Sequence, residues 1–397
     1  MLKTTPFHPR TASLCVSHSW RRWAGYVAAS SYELSHEREY HSIRSSAALF
    51  DISPLYKYRL RGPDAARLLD RVTTRDVSGS QVGQVLYTGW CDGAGKLLDD
   101  GTVARLGEAL FRMTSADPNL RWLQDNALGL EVEIEDISES VGALSLQGPS
   151  SKFILQELGE LPPLKYFRLA QTRLRGIPVS ISRTGYTGDL GYEIWVSKEK
   201  SLELWDALMD AGRGYGITPA GMLALDVARI EAGLLLIEVD FFSSRKALIP
   251  AQQYSPFEMG LGRLVQLEKR TFVGQSALRK EHARGPARQV VGMTLAWEEV
   301  EALYEKLQLP PQVPATASRV AVPVYRDGAQ VGKATSTTWS PVLKKMIALG
   351  TVERGSAEAG SRLEMEVTVE AVRHRVRAVV AKTPFFSPAR KTAPINS

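Results

Sequence analysis

The sequence predicts an α+β protein of two or three domains, the last of which consists of β-strands. The chain has 397 residues, of which 44% are hydrophobic and 23% charged, enough to bury a core in each domain. Helix-like and strand-like segments alternate up to about residue 285, whereas the segments beyond it are strand-like and punctuated by Gly or Pro. This change in segment type indicates a separate all-β C-terminal domain.

The first of these segments form a helix and a hairpin. Pro63 and Asp64 suit the first turn of a helix over residues 65–72, in which the apolar residues form one stripe. A strand over 85–91 precedes Asp92-Gly93-Ala94-Gly95, a turn sequence in which Asp-Gly tolerates positive φ. We therefore expect a hairpin whose returning strand carries two adjacent aspartates.

Patterning and punctuation predict the remaining elements. Thr218 is the expected N-cap of one helix, Pro219 its first residue and Gly233 the residue after its end. The other predictions are helices at 117–122, from the break at 148–150 through 158, at 202–212 and at 218–232; strands at 143–146, 179–182, 192–196, 290–295, 321–325, 346–352, 363–369 and 376–380; and an extended loop at 309–314.

Composition excludes several function classes. No apolar run reaches the roughly 18 residues that a membrane span needs. The two cysteines, Cys15 and Cys91, cannot form a disulfide framework, so a reducing compartment is favoured and a cytoplasmic location expected. No metal-ligand spacing occurs among the cysteines and six histidines, and the basic residues are spread out, so no metal site and no nucleic-acid partner are expected.

Two basic features leave alternatives open. The net charge of +6 is compatible with plain solubility or with an acidic ligand such as a polyglutamylated cofactor. The first 32 residues contain basic residues and no acid, as some organelle transit peptides do. Trp20 and Trp23 instead favour a packed N-terminal segment.

The glycine-rich segment 183–196 is the sharpest local signal. Its glycines permit close backbone approach, and the outgoing strand places Glu193 and Trp195 on one face. A carboxylate beside an aromatic ring suits a flat ligand with N–H donors, because the acid accepts hydrogen bonds while the aromatic stacks. Taken alone, the segment is more simply interpreted as a hairpin with a solvated Glu.

Two further motifs carry candidate groups. Asp226 and Arg229 are three residues apart on a predicted helix, and the Arg can hold a carboxylate or a ring carbonyl, or form a surface ion pair. Asp99 and Asp100 are adjacent on a strand and point to opposite faces, so one can enter a site and manage the proton of an amine nucleophile. The alternative is a polar strand end.

Together these motifs resemble the glycine-cleavage T-protein (aminomethyltransferase) family over nearly the whole chain. The resemblance rests on the residues 41–53, on Gly62-Pro63-Asp64-Ala65, on the hairpin 87–100, on Leu146-Gln147-Gly148-Pro149, on Arg183-Thr184-Gly185-Tyr186-Thr187-Gly188 and on the segment 229–233. Segments at 255–262, 272–274, 340–344 and 384–385 follow in the family's order.

The resemblance implies a three-domain cloverleaf around a central folate channel. The implied domains are a discontinuous folate-binding α+β domain of residues 1–53 and 142–245, a second α+β domain of 54–141 and 246–284, and a β-barrel-like domain of 285–397.

The resemblance also implies roles for single residues. Asp100 corresponds to the family's catalytic carboxylate, Glu193 to its folate-ring acid and Arg229 to its folate-contacting Arg, and the ring-lining residues would be Tyr186 and Tyr87.

Several positions depart from the family pattern. Ser115 replaces the usual Asn and is kept as a folate-binding candidate, as is Trp195. The donor pocket differs more, at Ser53-Pro54-Leu55, Lys96 and Arg263, and the family's N-terminal Phe-Ala-Gly-Trp has only a loose counterpart in residues 23–26.

The implied activity is one-carbon transfer to tetrahydrofolate, for which three alternatives stay open. An aminomethyl donor, free or on a lipoyl carrier protein, would yield 5,10-methylene-tetrahydrofolate and ammonia. O-, N- or S-methyl donors would yield 5-methyl-tetrahydrofolate instead. A non-catalytic folate-binding protein is the third possibility, although the cysteine motif of that branch is missing at 229–234. No Gly-x-Gly-x-x-Gly supports a flavin-linked dehydrogenase.

Overall fold

A computed structural model describes residues 2–394 and contains two open sheets, a closed barrel and an N-terminal hairpin. The strands are β1 (Ser19–Trp23), β2 (Tyr26–Ser31), β3 (Ala47–Asp51), β4 (Tyr56–Arg61), β5 (Val85–Cys91), β6 (Leu97–Gly107), β7 (Leu110–Ser115), β8 (Glu133–Asp136), β9 (Val141–Gln147), β10 (Leu169–Leu174), β11 (Ile177–Ser182), β12 (Gly191–Ser197), β13 (Ile217–Pro219), β14 (Arg288–Leu295), β15 (Val322–Arg326), β16 (Ala329–Ser340), β17 (Lys345–Glu353), β18 (Arg362–Val369) and β19 (Val372–Ala381).

The α-helices lie between these strands and cover the sheets. They are α1 (His8–Leu14), α2 (Glu37–Ser45), α3 (Ala65–Val72), α4 (Leu120–Asn126), α5 (Ser151–Leu158), α6 (Ser201–Gly212), α7 (Met222–Glu231), α8 (Gln275–Arg284) and α9 (Trp297–Lys306). None of the helices in the described range 2–394 is long and apolar enough to span a bilayer.

The six-stranded sheet has the order β10-β11-β12-β9-β3-β13 and packs its core against α5 and α6. Its last strand corrects one expectation, because Thr218 and Pro219 lie in β13 rather than at the start of a helix. Pro219 lacks an N–H donor and is tolerated on this edge strand, which runs parallel to β3. Helix α7 begins three residues later, and Glu39 accepts the N–H of Gly221 at its start.

The five-stranded sheet has the order β5-β6-β7-β4-β8 and buries its core under α3 and α4. The predicted helix 65–72 and hairpin turn 92–95 are both confirmed, but the positive φ, +75°, is at Gly95 and not at Gly93 of the Asp-Gly pair from which the turn was predicted. The helix predicted at 117–122 begins instead at Leu120. The backbone N–H of Asp117 bonds to Asp99, and Asn119 is the residue that precedes the helix.

The C-terminal strands close into a six-stranded barrel in the order β14-β17-β16-β15-β18-β19, which confirms the all-β domain. The sequence prediction missed β16 because its residues 335–338 are Thr and Ser, although these are buried. It also missed the amphipathic helix α9, whose Val300 and Tyr304 pack into the barrel core. The predicted loop at 309–314 is exposed and has no regular structure.

The N-terminal residues pack against the six-stranded sheet. Phe7 is fully buried against Trp205 of α6, and Trp20 packs on the small cluster of Cys15, Ala29 and Tyr32. Both cysteines are buried and free.

The observed sheets draw on separate parts of the chain. The six-stranded sheet uses strands from 47–51 and 141–219, the five-stranded sheet strands from 56–136, and the barrel strands from 288–381. The domain boundaries given above remain a prediction.

Candidate active site

Asp99 and Asp100 point to opposite faces of β6, as expected, and have different partners. Asp99 is fully buried and accepts the backbone N–H of Asp117 at 3.0 Å and the side-chain amide of Asn119 at 3.1 Å. Asp100 accepts the hydroxyl of Tyr87 at 2.5 Å. Asp99 therefore fixes the local chain, while Asp100 and Tyr87 form a pair on the other face.

The pair lies in a concavity. Asp100, Tyr87 and Tyr186 each keep some exposed surface, yet burial raises the pKa of all three. A group that is exposed to solvent while surrounded by protein on most sides lies in a hollow. Burial brings the pKa of Asp100 to about 6, with the hydrogen bond from Tyr87 acting in the opposite direction. The charge of Asp100 in turn raises the pKa of Tyr186, so the three groups are close.

Glu193 occupies β12 in the six-stranded sheet. It accepts one hydrogen bond, from the hydroxyl of Thr184 at 2.8 Å, and its other oxygen accepts none from the described residues. Burial raises the pKa of Glu193, while Thr184 and the positive charge of Arg112 lower it. The carboxylate is thus half-buried and incompletely paired, as a ligand-binding acid would be.

The glycine-rich loop positions Glu193 by wrapping around Gln147. A Cβ at Gly185 or Gly191 would lie within 2.1 or 2.3 Å of the Gln147 side chain, so both positions require glycine. The Gln147 amide donates to the carbonyl of Thr184 at 3.2 Å, and the hydroxyl of Thr184 donates to Glu193. The close backbone approach predicted from the glycines is therefore an approach to the side chain of Gln147.

Arg229 is fully buried, so its motif does not form the surface ion pair that was one alternative. Its guanidinium donates to Asp240 at 2.7 Å and to Ser336 of the barrel at 2.9 Å, and lies 3.6 Å from Asp226. Its positive charge also acts on Tyr186. The guanidinium is thus engaged by other protein groups, and a direct contact of Arg229 with a ligand stays a prediction.

Two other predicted residues are also occupied by protein contacts. Ser115 is buried and donates to the carbonyl of Asp117 at 2.7 Å. Trp195 is 4% exposed, and the guanidinium carbon of Arg112 lies 3.9 Å from its ring centre. The stacking surface expected of Trp195 is therefore covered on one side by Arg112.

Tyr166 and Arg263 interact electrostatically with Glu193 or with the partner of Asp100, but neither was predicted as a folate-binding residue. Burial raises the pKa of Tyr166; Arg263 lowers it and Glu193 raises it. Arg263 also lowers the pKa of Tyr87, the partner of Asp100. Tyr166 lies in an irregular segment with no periodic signal.

A cleft of about 550 Å³ elsewhere, lined by Trp122 and Arg245 among others, contains none of the predicted site residues.

The architecture matches that of a known class of transferase. The glycine cleavage system aminomethyltransferase T from Bartonella henselae superposes with a TM-score of 0.82 over 98% of this chain and 99% of that chain, at 23% identity. The mixed sheets and the terminal barrel therefore define a T-protein fold.

Sequence comparison assigns the family. The family model of the GCVT N-terminal domain matches residues 7–269, and that of the glycine cleavage T-protein C-terminal barrel domain matches residues 307–387. An aminomethyltransferase of Halothermothrix orenii is 33% identical over 354 residues, 88% of this chain and 90% of that protein. The chain belongs to the glycine-cleavage T-protein (aminomethyltransferase) family and is a transferase, which confirms the resemblance.

One relative differs in name and length. The trimethylamine-oxide aldolase of Ruegeria pomeroyi is 34% identical over 412 residues, which cover 99% of this chain. This chain spans 48% of that protein, about half its length.

Proposed function

We propose that the protein transfers a one-carbon unit from an aminomethyl donor to tetrahydrofolate, forming 5,10-methylene-tetrahydrofolate and releasing ammonia. The observation that carries the proposal is the partly buried Asp100–Tyr87 pair, together with Arg263, whose charge acts on Tyr87 and also on Tyr166, a residue on which the charge of Glu193 acts as well. Family membership adds weight, because aminomethyltransferases use tetrahydrofolate as the acceptor.

The side chains present suit a reduced pterin. Such a ring is flat and presents several N–H donors, so it requires a hydrogen-bond acceptor at its edge and apolar walls at its faces. Glu193 has an oxygen that accepts no hydrogen bond from the described residues, and Tyr87, Tyr186 and Tyr166 supply partly exposed aromatic surface. Tetrahydrofolate would supply the amine nitrogens that take up the one-carbon unit.

Asp100 would hold the reacting amine and manage its proton. As a carboxylate it can accept a hydrogen bond from an amine N–H, and a pKa near 6 lets it bind and release a proton near neutral pH. Tyr87 fixes the orientation of Asp100 through their hydrogen bond. Holding donor and acceptor at reacting distance contributes several kcal/mol, on the order of 7 or more in well-oriented systems.

A second candidate is transfer from a methylated donor, which would yield 5-methyl-tetrahydrofolate. The relative named trimethylamine-oxide aldolase favours an N-methyl compound as the source of the one-carbon unit, although its name, which implies release of an aldehyde, does not itself favour the methyl product. The departures at Pro54, Leu55 and Arg263 also indicate a donor pocket unlike that of the family. Arg263 is exposed, so it is placed to meet an incoming donor.

The decisive experiment identifies the folate product. Purified protein is incubated with tetrahydrofolate and either an aminomethyl-loaded lipoyl carrier or a panel of N-, O- and S-methyl compounds, and the folates are resolved by mass spectrometry. We expect the methylene product with the aminomethyl donor and none with the Asp100→Asn variant. The methyl product would select the second candidate, and the absence of any folate product would contradict both.

A further inference from the structure

Three buried donors near Glu193 lack hydrogen-bond partners among residues 2–394, which the structure describes. They are Nε of Arg112, the indole Nε1 of Trp195 and the hydroxyl of Ser180. Trp195 and Ser180 are directly opposite each other on β12 and β11, and the guanidinium of Arg112 lies over the Trp195 ring at 3.9 Å. Each unpaired buried donor costs free energy, so three in one place indicate a site that receives hydrogen-bond acceptors.

Arg112 is unpaired as a whole. Its side chain forms no hydrogen bond or ion pair with any residue in the part of the chain that the structure describes, although only 6% of the residue's surface is exposed. A buried arginine is normally paired, because an isolated charge is expensive to remove from water. In agreement, burial lowers the pKa of Arg112 to about 10.

Arg112 and Glu193 influence each other without touching. The charge of each stabilises the charged form of the other, so both border the same region. Yet they do not come within the 4.0 Å of an ion pair. The space between the two side chains therefore lies between the unpaired oxygen of Glu193 on β12 and the unpaired guanidinium of Arg112 on β7. A ligand edge that carries an N–H group beside a carbonyl would satisfy both.

We propose that Arg112 is a specificity-determining residue that donates to the 4-carbonyl of the pterin ring while Glu193 accepts from the adjacent ring N–H groups. This inference rests on the proposed function, since it assigns one more contact to the same ligand. The guanidinium of Arg112 donates to the carbonyl oxygen on this edge of the ring, and the carboxylate of Glu193 accepts from the N–H groups beside it. The two residues together therefore recognise both the acceptor and the donors of that edge. The contact with the Trp195 ring fixes the orientation of the guanidinium.

The test compares two ligands on one variant. Tetrahydrofolate and the tetrahydro form of aminopterin, in which an amino group replaces the 4-carbonyl, are titrated calorimetrically into the wild-type protein and into Arg112→Leu. We expect Arg112→Leu to bind tetrahydrofolate about 10- to 100-fold more weakly, the usual effect of losing a charge-assisted hydrogen bond. The ratio of the two affinities should shift at least about tenfold toward the 4-amino compound, because an amino group gains nothing from a guanidinium.

Arg59→Leu is the matched control. Arg59 lies directly opposite Arg112 on β4 but is exposed and paired with Glu135, so its loss should leave both affinities unchanged. The thermal midpoint of unliganded Arg112→Leu should not fall, because the substitution removes an unpaired buried charge. If that variant does not fold, Arg112→Met, which keeps an unbranched apolar side chain but no N–H donor, provides the same ratio.

The outcomes separate cleanly. Unchanged affinities, or an equal loss for both ligands, would overturn the role of Arg112 while leaving the proposed function intact. Failure of the wild-type protein and Arg59→Leu to bind tetrahydrofolate would overturn the proposed function, and the role of Arg112 with it.

Discussion

Asp100 differs from its neighbour Asp99 because the two side chains face different surroundings. Burial brings the pKa of Asp100 to about 6, and the role proposed for this residue requires its carboxylate form. We therefore expect turnover to rise as pH increases through about 6 and then level off. Asp100→Asn should lower kcat at least about 100-fold, the usual scale for a lost proton-transfer group, without preventing folate binding. A pH–rate profile with a binding titration checks both, and a flat profile between pH 5 and 8 would contradict the assignment.

The raised pKa of Asp100 also predicts how the free energy of unfolding depends on pH. The folded-state pKa of Asp100 lies above the unfolded value of about 3.9, so folding favours the protonated form and stability declines as pH rises through this interval. Asp100→Asn removes that decline. We expect the variant to gain up to about 2 kcal/mol in unfolding free energy relative to wild type between pH 4 and pH 8. Urea denaturation at both pH values measures this difference, and an equal difference at both would refute the raised pKa.

Glu193 is expected to act in binding more than in chemistry. Glu193→Ala should weaken tetrahydrofolate binding about 10- to 100-fold, because a charged acceptor contributes more than a neutral one. Isothermal titration calorimetry is the measurement. Glu203→Gln, which alters an exposed ion pair with Lys200, is the control and should bind as the wild type does. Unchanged affinity in Glu193→Ala would place the ring elsewhere.

The hairpin β5–β6 carries both Tyr87 and Asp100, the proposed catalytic pair, on its two strands, which the turn at 92–95 joins. Gly95 has φ of +75°, and an added Cβ would lie 3.2 Å from Ala277 and Leu278 of α8. Gly95→Ala should therefore cost about 1 kcal/mol or more of stability. Gly93→Ala is a matched control two residues away, where nothing lies within 4 Å of the new Cβ. Chemical denaturation of both variants tests this, and equal stability would contradict it.

Helix α7 is joined to the barrel by a buried network centred on Asp240. This carboxylate accepts Arg229 at 2.7 Å, Thr335 at 2.6 Å and Ser336 at 2.7 Å. Asp240→Asn should lower the unfolding free energy by about 3 kcal/mol, because it removes the hydrogen-bonded counter-charge of the buried guanidinium and leaves only Asp226, at 3.6 Å. Asp206→Asn, at an exposed pair with Arg10, should cost less than about 1 kcal/mol. Similar losses in both variants would show that the network is not important for stability.

At the scale of the whole molecule, the same network predicts cooperative unfolding. Glu231 of α7 accepts hydrogen bonds from Tyr40 and Arg44 of α2 and from Ser340 of the barrel, so separating the barrel would strand several buried charges. We expect one calorimetric transition that coincides with the loss of near-ultraviolet circular dichroism. A barrel that melts in a separate transition would contradict this expectation.

Local signals predicted much of the fold because their causes are local. The hairpin at 92–95 follows from backbone freedom at Gly95, and the helix 65–72 from its first turn and apolar stripe. The start of α7 could not be predicted in the same way. Thr218 and Pro219 suit a helix N-terminus by composition, but their pairing with β3, which is far away in sequence, places them in a strand instead.

The sequence by itself determined the helix at 65–72, the hairpin at 92–95, the β-strands of the C-terminal part, the opposite faces of Asp99 and Asp100, and the family, because motif spacing and strand alternation are properties of the chain. Only the tertiary structure decided which polar groups are paired. It joined Arg229 to Asp240 and the barrel, and it placed Arg112 over the Trp195 ring with no hydrogen-bond or ion-pair partner in the described part of the chain. The physical reason is that pairing and burial depend on which side chains meet across distant strands, and neighbours in sequence do not specify that.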